Sequence, residues 1–177
     1  KEELIIYKDI IEKLITNLAI LGGTDIVLPF VDSSSIMGIE DKEKIHDFLE
    51  QFSSLCLKYD VNLALETDLP PLDFKSFIDT FSNNYITVNY DTGNSAALGY
   101  LISKELEVYG DKISNIHIKD RKLSKSSVFL GTGDADLNFL KDYIEKINFK
   151  GLIIFQAFRD DEGLEIFNKQ YEYYLGL

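Results

Sequence analysis

"VNYDTGNSAALGY", residues 88–100, decides the fold. The alternation Ile86-Thr87-Val88-Asn89-Tyr90 reads as a buried strand that ends on Asp91, and a Thr-Gly-Asn turn opens into a helix-like segment. A strand handed directly to a helix, with no hairpin between them, is the unit of a parallel α/β sheet. Taken alone, Asp91 has three readings: an Asx-turn former, a helix cap or a ligand.

The same rhythm extends both ways. Upstream, residues 3–21 place Leu4, Tyr7, Ile11, Leu14, Ile15 and Leu18 on one helical face, stopped by Gly22-Gly23. "DIVLPFVD" (25–32) is a short buried strand leaving through Pro29. Residues 41–59 form a second helix with Ile45, Phe48, Leu49, Phe52, Leu55, Cys56 and Tyr59 inward, and "VNLALE" (61–66) is the next strand. A short helix after Pro70-Pro71 uses Phe74, Phe77, Ile78 and Phe81. Downstream, one helix runs to about Tyr109, and "ISNIHIKD" (113–120) is a strand. A polar loop then leads to a helix capped by Asp136, with Leu137, Leu140, Tyr143, Ile144 and Ile147 inward. "GLIIFQAF" is the last strand, and Leu164, Phe167, Tyr171, Tyr174 and Leu175 line a closing helix. Single-domain α/β architecture over residues 1–177 is the expectation.

Composition narrows the function classes. A chain of 177 residues with 45% hydrophobic and 27% charged residues buries a sizeable core. Its net charge of -12 repels phosphate backbones, which argues against nucleic acid as a partner. One cysteine, Cys56, excludes an internal disulfide and suits a cytoplasmic location; its place on an apolar stripe makes it core. The apolar runs are too short and too charged to span a membrane. His46 reads as a surface or boundary residue, and "RDDEG" (159–163) as a solvated loop.

Four strands end on a group able to bind a cation: Glu66, Asp91, His117 and Gln156. Strands of a parallel sheet point the same way, so these ends share one edge, which in a barrel is the mouth. Two carboxylates, an imidazole and an amide oxygen suit Mn²⁺, Mg²⁺, Co²⁺ or Zn²⁺. Each also has a plain reading: Glu66 as a loop cap, His117 as a satisfied core histidine between Ile116 and Ile118, and Gln156 bonding to backbone.

The motifs "LALET", "YDTGN", "NIHIKDR", "GTGDADL" and "IIFQAFRDDEG", in this order and spacing from about Asp25 onward, resemble the xylose-isomerase-like TIM barrels, the sugar phosphate isomerases and epimerases of the AP endonuclease family 2 type. The resemblance implies a divalent metal at the barrel mouth and proton transfer between neighbouring sugar carbons through an enediolate. Glu66, Asp91 and His117 match the family's first three metal ligands, with Glu66 also a catalytic base. The fourth should be glutamate and is Gln156, whose amide can ligate but cannot accept a proton as a base. Asn94 stands where many members have histidine. Lys119, Asp120 and Arg121 are candidate substrate contacts, with a surface ion pair of Asp120 as the plain alternative. The Gly131-Thr132-Gly133 turn either lends N–H groups to a phosphate or simply leads into its helix.

A closed barrel of this kind has eight strands and about 250 residues. Five strands are legible, beginning with what looks like the fourth, so the expectation is the C-terminal part of a barrel, either a piece of a longer protein or a possible homo-oligomer. The expected activity is a metal-dependent isomerase or epimerase of a sugar or sugar phosphate. A non-catalytic sugar-binding relative is the alternative, because of Gln156. An endonuclease-IV-like phosphodiesterase fits less well, since such a site wants more than the two histidines present.

Overall fold

The computed structural model describes residues 2–156, 158 and 163–177; the acidic run at 159–162 lies outside the described residues. Helix α1 (Glu2–Ile20) leads to strand β1 (Asp25–Phe30), and helices α2 (Ile39–Glu50) and α3 (Ser53–Tyr59) precede β2 (Asn62–Thr67). Helix α4 (Pro71–Ile78) precedes β3 (Ile86–Asp91), which runs into α5 (Thr92–Leu98) and α6 (Ile102–Tyr109). Strand β4 (Ile113–Ile118) is followed by the two-residue strands β5 (Asp120–Arg121) and β6 (Ser127–Val128), helix α7 (Leu137–Lys146), strand β7 (Leu152–Phe155) and helix α8 (Leu164–Leu175). Five strands form one parallel sheet in the order β1-β2-β3-β4-β7, an α/β fold matching part of a TIM barrel.

The chain divides into two compact units. The first comprises Lys1–Leu69 with Asp73–Val88. Here β1 and β2 pair in parallel along their whole length, Asp25 with Asn62 through Phe30 with Thr67. Pro29 lies within β1 rather than at its exit, opposite Glu66. Because β1 ends the strand order, the missing N–H of a proline is tolerated there. The core includes Ile15, Leu49, Phe52, Cys56, Leu63, Leu65 and Phe77. Burying a side chain such as Phe52, 1% exposed, contributes about 2–3 kcal/mol.

Two expectations for this unit are corrected. The helix expected over 41–59 is broken after Glu50, and α2 and α3 meet at Gln51-Phe52, which sets Leu49, Phe52 and Cys56 inward while leaving Ile45, Phe48, Leu55 and Tyr59 half-buried. On α1 only Ile11 and Ile15 of the expected face are buried, and Leu4, Tyr7 and Leu14 are about half-exposed, since the helix packs on α3 along a single stripe.

The second unit comprises Pro70–Leu72 with Asn89–Leu177. Strands β4 and β7 pair in parallel, His117 opposite Ile154. Phe155 seats against Phe167, Tyr171 and Tyr174 of α8, with ring centroids 6.2, 5.3 and 5.0 Å away. The single helix expected up to Tyr109 is interrupted at Gly99, whose φ of 76° is left-handed and open to glycine without strain. A small antiparallel hairpin, β5 with β6, stands where a plain loop was expected. Asp136 caps α7 as anticipated, accepting the N–H of Phe139 at 3.0 Å.

Candidate metal centre

Strand β3 carries Asn89 and Asp91 two residues apart, hence on one side of the sheet. Both are buried. The two oxygens of Asp91 divide its work. Oδ1 accepts the N–H of Asn94 at 2.8 Å and caps α5, while Oδ2 lies 3.4 Å from the Lys119 ammonium and 4.0 Å from His117 Nδ1. The cap and the ligand readings of Asp91 are therefore compatible.

His117, on β4, is 7% exposed, with Asn89 Nδ2 3.2 Å from its Nδ1. Burial pushes the imidazole pKa down, and neighbouring Lys119 adds to this, outweighing the opposite pull of Asp91. A neutral ring keeps a lone pair for a cation. Thr92 ties the two strand ends together: its hydroxyl lies 3.2 Å from the carbonyl of His117 and 2.5 Å from that of Lys119, and accepts the N–H of Lys119 at 2.9 Å.

Lys119 reaches across this group. Its ammonium donates to Asp91 Oδ2, to Asn94 Oδ1 at 3.3 Å and to Gln156 Oε1 at 3.2 Å. Arg121 donates to the same Asn94 oxygen at 2.8 Å and to the carbonyl of Lys125 at 2.8 Å. Six of the expected site residues, Asp91, Asn94, His117, Lys119, Arg121 and Gln156, thus gather in the second unit. Glu66 stands near the C-terminal end of β2 in the first unit, buried at 8% exposure.

Asp120 differs. It is fully buried, so the surface ion pair entertained for it does not form. Its carboxylate accepts the N–H groups of Gly131 at 2.9 Å, Gly133 at 2.8 Å and Ala135 at 3.1 Å. The N–H groups considered for a phosphate at Gly131 and Gly133 are therefore committed to this carboxylate. A Cβ at residue 133 would fall 2.0 Å from Asp120 Oδ1, which explains the second glycine in "GTGDADL". Asn89, Thr92 and Gly93 were missed from sequence. The period-two spacing of Asn89 from Asp91 was the available signal for the first; the other two lie in the "YDTGN" motif, where they read only as a turn.

Residues 6–174 match the family described as xylose isomerase-like TIM barrel. The chain belongs to this family. Among curated proteins no match is found. The solved structure of the IolI protein with a binding zinc atom is 20% identical, with a TM-score of 0.73 over 92% of this chain and 66% of that one. The apo 3-keto-D-glucoside 4-epimerase YcjR from E. coli is 16% identical, with a TM-score of 0.77 over 96% of this chain and 70% of that one. A D-psicose 3-epimerase solved in the presence of D-fructose is 15% identical, with a TM-score of 0.74 over 96% and 68%. The chain spans about two thirds of the length of these solved relatives. No helix among the described residues is long and apolar enough to cross a membrane.

Proposed function

We infer that the chain carries the site of a divalent-metal-dependent isomerase or epimerase acting on a sugar or sugar phosphate. The observation that carries this reading is the buried pair of Asp91 and His117, one oxygen of the carboxylate 4.0 Å from the imidazole Nδ1 at the ends of β3 and β4. Family membership, and relatives named as sugar epimerases or solved with zinc, support it. Glu66, Asp91 and His117, all buried and each offering one ligand atom, are the proposed ligands, with Gln156 as a weak fourth. The donor set suits Mn²⁺, Mg²⁺, Co²⁺ or Zn²⁺.

When bound, the ion polarises a sugar carbonyl and makes the neighbouring C–H more acidic. Glu66 accepts that proton as the base. Asn94 and Arg121 orient substrate hydroxyl or phosphate oxygens, with Lys119 beside them. Asp120 is left out of the substrate contacts because its oxygens hold the 131–135 loop. Gln156 favours a second reading, a sugar-binding relative without catalysis, since an amide cannot serve as the second proton-transfer group.

Titration calorimetry with Mn²⁺, joined to elemental analysis, tests the site: about one ion per chain is expected, as for a mononuclear centre. Absence of binding, or binding unchanged in Glu66→Ala plus Asp91→Ala, sinks the metal reading. Solvent deuterium appearing in a ketose or ketose phosphate separates the enzyme from the binding relative.

A further inference from the structure

Lys119 is the group in this site whose position the metal reading does not explain. Its ammonium touches Asp91 Oδ2, at 3.4 Å, and Gln156 Oε1, at 3.2 Å, the oxygens of two proposed ligands. Its third contact, Asn94 Oδ1 at 3.3 Å, is shared with the Arg121 guanidinium. The aliphatic stem is also built in. A Cβ at residue 93 would lie 2.7 Å from Lys119 Cγ and 3.0 Å from its Cβ, so Gly93 in the first turn of α5 leaves the space through which the stem runs. The side chain is mostly shielded, at 18% exposure. This is a held cation rather than a surface lysine resting on a carboxylate.

We propose that Lys119 is an internal cation that competes with a divalent ion for Asp91 and Gln156. The inference rests on the metal reading and deepens it. A carboxylate oxygen bound to a divalent ion at roughly 2.0–2.2 Å leaves little attraction for an ammonium on the same oxygen, and the two positive charges repel. Loading the ion therefore requires the ammonium to leave Asp91 Oδ2 and Gln156 Oε1. Asn94 Oδ1, at 3.3 Å, is the acceptor that remains. The amide at 156 belongs to the same arrangement. A carboxylate there would pair with Lys119 more strongly, whereas a neutral amide holds it loosely enough to be displaced.

The expected signature is a coupling between positions 119 and 156. Lys119→Met keeps the stem beside Gly93 and removes the charge; it is expected to tighten Mn²⁺ binding by about tenfold or more, the scale of removing one close like charge. Gln156→Glu is expected to tighten binding several-fold further in the Lys119→Met background than in the native one, because in the native chain the new carboxylate also strengthens the competitor. Purely additive effects of the two substitutions, or an unchanged affinity in Lys119→Met, overturn the proposal while leaving the metal site standing. No ion binding in any of these proteins overturns both. A measurement on the native chain needs no variant: acetylation of Lys119 by an amine-reactive reagent, read by peptide mass spectrometry, should speed up at least threefold when Co²⁺ saturates the protein. Labelling that is unchanged or slower counts against displacement.

Discussion

Two buried carboxyl groups in the second unit sit about one helix apart in sequence and are held in opposite ways. Asp91, 4% exposed, gives one oxygen to a helix cap and turns the other toward the Lys119 ammonium and an imidazole. Glu105 of α6, 3% exposed, is closed in by hydroxyls: Tyr90 at 2.9 Å and Ser95 on one oxygen, and Tyr109 at 2.7 Å on the other. Burial and the nearby Glu105 carboxyl raise the pKa of both phenols, so they remain donors across the neutral range. A carboxyl whose partners are fixed O–H groups is a structural element. One whose second oxygen faces only groups that can move or coordinate is available to a ligand.

Breaking the closed carboxyl should have the largest effect on folding. Glu105→Ala removes the carboxylate shared by three hydroxyls, although Tyr90 keeps a longer contact to Ser95 Oγ at 3.3 Å, and is expected to cost about 4 kcal/mol in urea unfolding, with Mn²⁺ affinity unchanged. A stable variant would mean that the hydroxyl cluster contributes little. A loss of ion affinity would mean that the two carboxyls are coupled. Asp120 resembles Glu105 in being saturated, though by backbone N–H groups. Gly133→Ala drives a methyl toward Asp120 Oδ1 and the carbonyl of Arg121, 2.7 Å away, and should cost about 2 kcal/mol by forcing the 131–135 loop to shift. Asp91→Ala, which removes the α5 cap, is expected to cost only about 1 kcal/mol of stability. A much larger cost would place Asp91 with the structural carboxyls.

The smallest effect sharpens the scale from the first unit. Burial alone would raise the Glu50 pKa, but the N–H of Ser82, the hydroxyls of Ser53 and Ser82 and the neighbouring His46 together bring it below its usual value. The folded pKa lies under the unfolded one, so the stabilisation is complete above the unfolded value, about 4.3, and fades as pH falls through the folded value. Unfolding free energies measured from pH 6 to pH 3 should decline by less than about 1 kcal/mol on this account, and Glu50→Gln should flatten that part of the slope.

Much of this molecule was legible from its residues in order. Apolar alternation placed β2, β3 and β4, the direct passage of β3 into α5 announced parallel strands, and the strand-end positions of Asp91, His117 and Gln156 marked side chains that gather with Lys119 in the second unit. These features are local, since a strand's period of two decides which side chains share a face. Helix breaks at Gln51 and Gly99 and the burial of α1 along one stripe were not legible, because an apolar face does not say which part of it a neighbour will cover. The role of Asp120 was equally hidden: alternation carries a side chain to the strand's exit, but only the returning 131–135 loop supplies the N–H groups that claim it. So it is with Lys119. Its place two residues after His117 was plain in the sequence, yet a four-carbon stem can reach many acceptors. The choice of Asp91 and Gln156 came from the space over Gly93 and the approach of three chain segments, which exist only once the chain has folded.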